Sequence, residues 1–402
     1  MIQLENISHV YRGLLLRSRA FASFKRDELD IISEDIISQY NDVDEIFDPM
    51  SGYGGGMYYF ARKGYKTTNV ELNPPAYYWQ VLINPQNTES IIKIINSILA
   101  YRDKWPILHE KFSISDEIFA EPAIKHIRFL YEMILNRSKK NDLLSISILL
   151  PFVSRFANYI KSSTNITHFK HGGFCSYVGW DDDFEEYLNI LQERLLLDVV
   201  NFKESNHKNI LSDLMNLDLS DKFKFFVTSP PYPNYRDYSK LFKIENWILD
   251  NIIYSKPTDF KYMIGSNNVS GKKFGDIQSN KSNIFLTTLL DKSKKLTKKS
   301  RRDIETYYHP YFSQYFYNLQ EAYKKLDSLL ERNAIGYIVV NDNITRDIII
   351  PVGASICDIF RNLGFDADDI DASQINHFGN IGKMAKRINS QHTRHIIKVC
   401  KK

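Results

Sequence analysis

The 402-residue sequence predicts an α/β chain built on a doubly wound sheet, split by a helical insertion and by a shorter basic one. Three observations predict it. Residues 45–71 read as strand, glycine turn, helix, strand and acid, the order that opens a doubly wound nucleotide-binding sheet. An apolar strand over 223–228 ends in the turn Ser229-Pro-Pro-Tyr232. Between them, residues 80–200 carry helical patterning over a length too great for a crossover helix. The expected organisation is a split domain of 1–79 and 201–402, a helical subdomain over 80–200 and a basic insertion over 256–305.

Each element follows from local pattern. Apolar residues recur at helical spacing over 14–40, with Leu29, Ile32 and Ile36 on one stripe. A short strand over 45–47 runs into Asp48-Pro-Met-Ser-Gly-Tyr-Gly-Gly-Gly-Met57. Residues 57–62 predict a helix that stops near Gly64, since glycine readily takes the left-handed conformation that ends helices. Residues 67–71 are the second strand, closed by Asn73-Pro-Pro75. The helical stretch 80–200 includes an aromatic, glycine-bearing segment from Phe169 to Trp180 and an acidic patch at 181–183. The sheet resumes over 209–213 and continues in 223–228. Residues 308–332 predict an amphipathic helix with Phe312, Tyr315, Phe316, Leu319, Tyr323 and Leu326 inward. A buried strand over 334–340, a helix over 352–363 and a closing strand over 395–400 complete the order.

Composition narrows the class. Apolar residues at 43% and charged residues at 25% are ordinary globular values, which excludes disorder over most of the length. Three dispersed cysteines, Cys175, Cys357 and Cys400, exclude a disulfide scaffold and suit a reducing compartment. The ten histidines form no ligand spacing, so no metal site is expected. The first residues lack the pattern of a signal peptide, and no run of ~18 apolar residues predicts a membrane span. A cytoplasmic protein is the expectation.

The net charge of +4 is unevenly spread. Residues 1–250 hold 28 Lys/Arg against 33 Asp/Glu, whereas 251–402 hold 24 against 15. The segment 256–302 alone holds 12 against 3, and 292–302 has seven cations in eleven residues. Such a run is either a solvated helix face or loop, or a strip that neutralises phosphates and releases counterions. On the second reading Lys272, Lys273, Lys294, Lys295, Lys298, Lys299, Arg301 and Arg302 contact nucleic acid.

The glycine turn carries chemistry of its own. Glycines between a strand and a helix let the backbone approach a ligand, and the helix start offers free N–H groups. Glu71 ends the next strand, 19 residues beyond Gly52, where a carboxylate can accept from both ribose hydroxyls. The turn lacks the Gly-x-Gly-x-x-Gly pattern and is headed by Asp48. An acid there suits a ligand with a cationic end better than a pyrophosphate. S-adenosylmethionine has a sulfonium, an ammonium, a ribose and an adenine, and fits. The bland reading is a tight turn with no ligand.

In the second turn, Pro230 and Pro231 stiffen the backbone and remove two N–H donors. Ser229 and the Pro230 carbonyl can together accept both hydrogens of an exocyclic amine, and Tyr232 offers a face on which a base stacks. The bland reading is a rigid strand end.

Together, Asp48-Pro-Met-Ser-Gly-Tyr-Gly-Gly55, Val70-Glu-Leu-Asn-Pro74 and Thr228-Ser-Pro-Pro-Tyr-Pro-Asn234 resemble the amino-group DNA methyltransferases. More narrowly the chain resembles their N4-cytosine branch, whose catalytic turn is usually Ser-Pro-Pro-Tyr. The resemblance covers about 15–75 and 205–260 by motif and 305–400 by element order, but not 80–200. It implies a Rossmann-like S-adenosylmethionine-dependent methyltransferase fold. It implies that Asp48, Pro49, Ser51, Gly52 and Gly54 cradle the methionine part of the cofactor, that Glu71 binds the ribose and that Asp213 lies by the adenine. Phe24, in Phe24-Lys25-Arg26-Asp27, falls where the family has a further cofactor-binding segment. Ser229, Pro230, Pro231 and Tyr232 would hold a cytosine flipped out of double-stranded DNA. The family also implies a bacterial or archaeal restriction–modification or defence setting, with room for a partner restriction endonuclease. The alternatives are an N6-adenine methyltransferase, whose turn is more often Asp-Pro-Pro-Tyr, a less favoured RNA guanine-amino methyltransferase, and a non-catalytic DNA-binding subunit that keeps the fold.

Overall fold

The computed structural model describes residues 24–40, 43–105, 111–113, 121–154, 159–161, 169–171, 174–176, 180–199, 206–233, 242–253, 264, 274–376 and 391–402. Its strands are β1 (Glu45–Asp48), β2 (Lys66–Glu71), β3 (Lys111–Ser113), β4 (Tyr159–Lys161), β5 (Phe169–His171), β6 (Phe174–Ser176), β7 (His207–Leu211), β8 (Phe223–Thr228), β9 (Leu330–Asn341), β10 (Asn343–Thr345), β11 (Ile348–Ile350), β12 (Phe365–Asn376) and β13 (Gln391–Lys401). Its α-helices are α1 (Arg26–Gln39), α2 (Gly55–Arg62), α3 (Pro74–Leu82), α4 (Pro85–Leu99), α5 (Glu121–Arg137), α6 (Asp142–Val153), α7 (Trp180–Val199), α8 (Lys243–Ile248), α9 (Asn280–Ser293), α10 (Lys298–Asp303), α11 (His309–Ser328) and α12 (Val352–Asn362). The architecture is α/β, with a mostly parallel seven-stranded sheet in the order β12-β13-β9-β8-β1-β2-β7. No described helix is long and apolar enough to cross a membrane. The described residues divide into two compact units, one drawn from 24–25, 52–211 and 239–259 and the other from 26–51, 212–238 and 260–402.

The second of these units holds β12-β13-β9-β8-β1. Phe47 of β1 is in parallel register with Phe226 of β8, and Phe226 with Gly336 of β9. β13 runs antiparallel to both of its neighbours, with Val399 opposite Gly336 and Ala367. Apolar residues on both faces of β8 explain its near-continuous hydrophobic run. Phe225 meets Tyr40, just past α1, at 5.3 Å, and Phe226 meets Phe360 of α12 at 6.2 Å. The stripe Leu29, Ile32 and Ile36 of α1 is buried, and so are all six residues expected inward on α11. Arg394 of β13 is buried and ion-paired to Asp27 at 2.8 Å, Asp371 at 2.9 Å and Glu28 at 3.3 Å, which ties the start of α1 to the sheet.

Gly336 is required by its neighbour. A Cβ there would lie 1.9 Å from Cζ of Phe226. Gly336→Ala is expected to cost about 3 kcal/mol or more through overpacking. Denaturant unfolding measures this, and an unchanged midpoint would count against the packing described.

The first unit holds the parallel pair β2 and β7, from Thr67↔His207 to Glu71↔Leu211. His207 is buried, its pKa is pushed down to about 4 by burial, and its Nδ1 lies 3.0 Å from Thr67 Oγ1. Pro74 and Pro75 occupy the first turn of α3, where a missing N–H costs nothing. Asn84 caps α4 by accepting from the Gln86 N–H at 3.0 Å, and Ile91, Ile94, Ile95 and Ile98 form its buried face. Nearly every side chain of α6 is buried, and its Ile148 carbonyl accepts from the Tyr187 hydroxyl of α7 at 2.8 Å.

The structure corrects several expectations. The described part of the span 80–200 is mostly helical, as expected, and adds four short strands that were not, β3 paired with β6 and β4 with β5, both antiparallel. Three-residue strands are too short to show alternation. The helix expected over 308–332 ends at Ser328, and β9 begins at Leu330, before the strand start expected at 334. β7 begins and ends two residues earlier than expected, leaving Asp213 beyond it. β10, β11 and β12 were not expected at all. The part of the helix expected over 14–23 lies outside the described residues.

Candidate functional site

Two adjacent strand ends bring the two motifs' acid and turn together. β1 and β8 are parallel neighbours, so Asp48 and Thr228 end them at the same edge of the sheet. The Thr228 hydroxyl donates to Asp48 Oδ1 at 2.9 Å, and the Met50 N–H donates to the same oxygen at 3.1 Å. Asp48 is 3% exposed, and its Oδ2 has no hydrogen-bond partner among the described residues. Burial drives its pKa up to about 7, against the pull of those two hydrogen bonds. A buried carboxylate oxygen left open favours a cation or a proton.

One residue further on, Ser229 is buried and its Oγ lies 3.0 Å from the Tyr232 hydroxyl. Pro230 is buried, and Pro231 and Tyr232 are half-buried. The Tyr315 hydroxyl of α11 donates to the Pro231 carbonyl at 3.0 Å, so that carbonyl is already engaged. Asp213 is half-buried and caps a 3-10 turn over 214–216, accepting from the Met215 N–H at 2.9 Å. Pro49 sits in the turn after β1, Ser51 is buried, and Phe24 is buried ahead of α1.

The glycine half belongs to the first unit. Gly52 and Gly54 have φ of 54° and 76°, in the left-handed region, and α2 starts immediately after. A Cβ on Gly54 would lie 3.0 Å from Cγ of Gln80, and Gln80 Nε2 donates to the Gly52 carbonyl at 2.6 Å. Tyr53 is buried edge-on to Trp79 at 6.3 Å and Phe242 at 5.8 Å. The turn is therefore braced by α3 and by the residue that precedes α8. Glu71, buried at the end of β2, accepts from the Asn73 N–H at 2.7 Å through Oε1.

In the basic segment, residues 280–293 and 298–303 form the helices α9 and α10. α9 buries Phe285, Leu286 and Leu289, and Phe285 meets Phe312 of α11 at 5.1 Å. Lys294, Lys295, Lys298, Lys299, Arg301 and Arg302 are all exposed on the end of α9, the connection and α10. Lys272 and Lys273 lie outside the described residues. Among the described residues, no group of three His, Cys, Asp or Glu could hold a metal ion.

Sequence reading missed Thr228, Gln80 and Tyr315 as parts of these turns. Thr228 was legible as the residue before Ser-Pro-Pro-Tyr, but its partner depends on which strand lies beside β8. Gln80 and Tyr315 sit on helices, where periodicity identifies the buried face and not the polar atom it meets. The chain matches no protein-family model, and no curated protein matches its sequence.

Proposed function

We propose that this chain is an S-adenosylmethionine-dependent DNA methyltransferase of the amino-group class, acting on the exocyclic N4 of a cytosine flipped out of duplex DNA. The observation that carries the reading is the buried, half-paired carboxylate of Asp48, held by Thr228 immediately before Ser229-Pro-Pro-Tyr232. An open buried carboxylate oxygen suits the donor's ammonium group, and Gly52 and Gly54, both in the left-handed region, suit a turn whose backbone approaches a ligand. Glu71, at the end of β2, suits the ribose. In doubly wound sheets, ligands bind beyond the carboxyl ends of the strands where the strand order reverses, and β1 and β8 are those strands. This supports the finer fold reading, a Rossmann-like methyltransferase.

The donor, when bound, supplies a methyl group activated by a sulfonium leaving group. The rest is the work of the chain. A cytosine amine is a poor nucleophile because its lone pair is delocalised into the ring. Ser229 Oγ and the Pro230 carbonyl accept its two hydrogens from outside the base plane and draw the nitrogen toward tetrahedral geometry. Tyr315 fixes the rim of the turn through the Pro231 carbonyl. Tyr232 stacks on the base and offsets part of the few kcal/mol that flipping costs. Positioning supplies most of the rate. No strong base is required, since the methylated amine is acidic and sheds its proton readily.

Incubating duplex DNA with the protein and a donor labelled in its methyl group tests this. Label retained by the DNA supports the reading, and DNA without label, under conditions where the donor binds, contradicts it.

A further inference from the structure

The hairpin β10–β11 has a strained tip. Arg346 and Asp347 lie between the paired Thr345 and Ile348 and have φ of 48° and 60°. Two-residue turns with both residues left-handed strongly favour Asn-Gly, and neither residue here is glycine. Strain of this kind persists where surrounding contacts over-determine it.

Those contacts bracket the basic run. On one side Lys292, in the last turn of α9, donates to the Arg346 carbonyl and pairs with Asp347 at 3.5 Å. On the other, the Arg346 guanidinium lies over the Tyr308 ring at 4.9 Å and donates to its hydroxyl at 3.4 Å. It also stands 4.0 Å from Asp303, the last residue of α10. The chain between these anchors carries six cations. Lys294 is paired with Asp291 at 2.8 Å and Arg301 with Glu305 at 2.7 Å. The side chains of Lys295, Lys298, Lys299 and Arg302 are exposed and make no hydrogen bond or ion pair among the described residues.

We infer that the hairpin tip is a clasp that closes the base of the basic run and holds Lys295, Lys298, Lys299 and Arg302 as a preset array for the phosphate backbone of duplex DNA. Arg346 is then a positioning residue, since its guanidinium is spent on Tyr308 and Asp303. Cations held in place lose less freedom on binding than cations on a loose loop, and each phosphate they neutralise releases counterions. The inference rests on the DNA-methyltransferase reading for its choice of partner.

The test is the affinity of the full chain for a random-sequence DNA duplex as a function of salt. The four free cations should contribute about 3.6 to the steepness of log affinity against log salt, and changing all four to Gln should remove that contribution. The double variant Tyr308→Leu/Asp347→Asn loosens the clasp while adding one positive charge. Charge alone would tighten binding, whereas the clasp requires it to weaken by roughly three- to tenfold. Arg346→Lys, which keeps the charge and loses the flat stack, should weaken binding too. Unchanged or tighter binding in both variants overturns the clasp, as does a wild-type chain that ignores the DNA duplex or prefers an RNA duplex. If duplex binding behaves as stated but no methyl group is transferred, the catalytic reading fails and the clasp stands. If methyl transfer proceeds and both variants bind like wild type, the clasp alone fails.

Discussion

Asp48→Asn is expected to stabilise the free protein at pH 8 and to weaken donor binding by roughly 10- to 100-fold, the worth of a charged hydrogen bond. The two effects have one cause. The ordinary carboxyl pKa is 3.8, and burial raises that of Asp48 to about 7. The folded chain therefore retains a proton that the unfolded chain releases. Stability from this group is complete below pH 3.8 and is lost as pH rises to about 7, a loss of order 4 kcal/mol at most. Asparagine can still accept from Thr228 and Met50, but has no charge to desolvate. The variant should melt well above wild type at pH 8 and close to it at pH 4. Donor affinity of the wild type should rise as pH climbs through about 7, because the ammonium requires the ionised carboxylate. Calorimetric titration and thermal melts across pH measure both. A variant that melts below wild type at pH 8, or binds donor equally well, would remove Asp48 from this role.

Ser229→Ala is expected to slow methyl transfer by ~100-fold or more with donor affinity unchanged, because it deletes an acceptor for the reacting amine. Tyr232→Ala should lose ~1–3 kcal/mol of base stacking, seen chiefly in the DNA concentration needed for half-maximal rate. Tyr232→Phe separates the ring from the hydroxyl. It keeps the stacking face and removes the contact with Ser229 at 3.0 Å, so it should stay near wild type. Single-turnover rates on duplex DNA distinguish the three. Full activity in Ser229→Ala, or loss in Tyr232→Phe equal to that in Tyr232→Ala, would contradict the assigned roles.

The parts of the molecule legible in sequence are those whose physics is local. β1 and β8 were legible because apolar strands end abruptly in Asp48-Pro and Ser229-Pro-Pro, where proline and glycine forbid continuation. The inward face of α11 was legible because six large side chains recur at helical spacing. What stayed hidden depends on long-range pairing. The bond from Thr228 to Asp48 exists only because β8 lies beside β1. β12 was hidden because Asp366, Asp368, Asp369 and Asp371 disfavour strands in isolation; its inward Phe365 and Ala367 alternate too briefly to compensate. The β10–β11 hairpin was hidden because Arg346-Asp347 is a poor turn by propensity, held by Lys292 and Tyr308 from elsewhere.

The central claim concerns one nitrogen atom, so the most direct measurement identifies the methylated base. DNA incubated with the protein and S-adenosylmethionine is digested to nucleosides and weighed by mass spectrometry, with Ser229→Ala protein in parallel. The account predicts N4-methyldeoxycytidine in the wild-type digest and its near absence in the variant. N6-methyldeoxyadenosine in its place, or no methylated nucleoside despite donor binding, would contradict it.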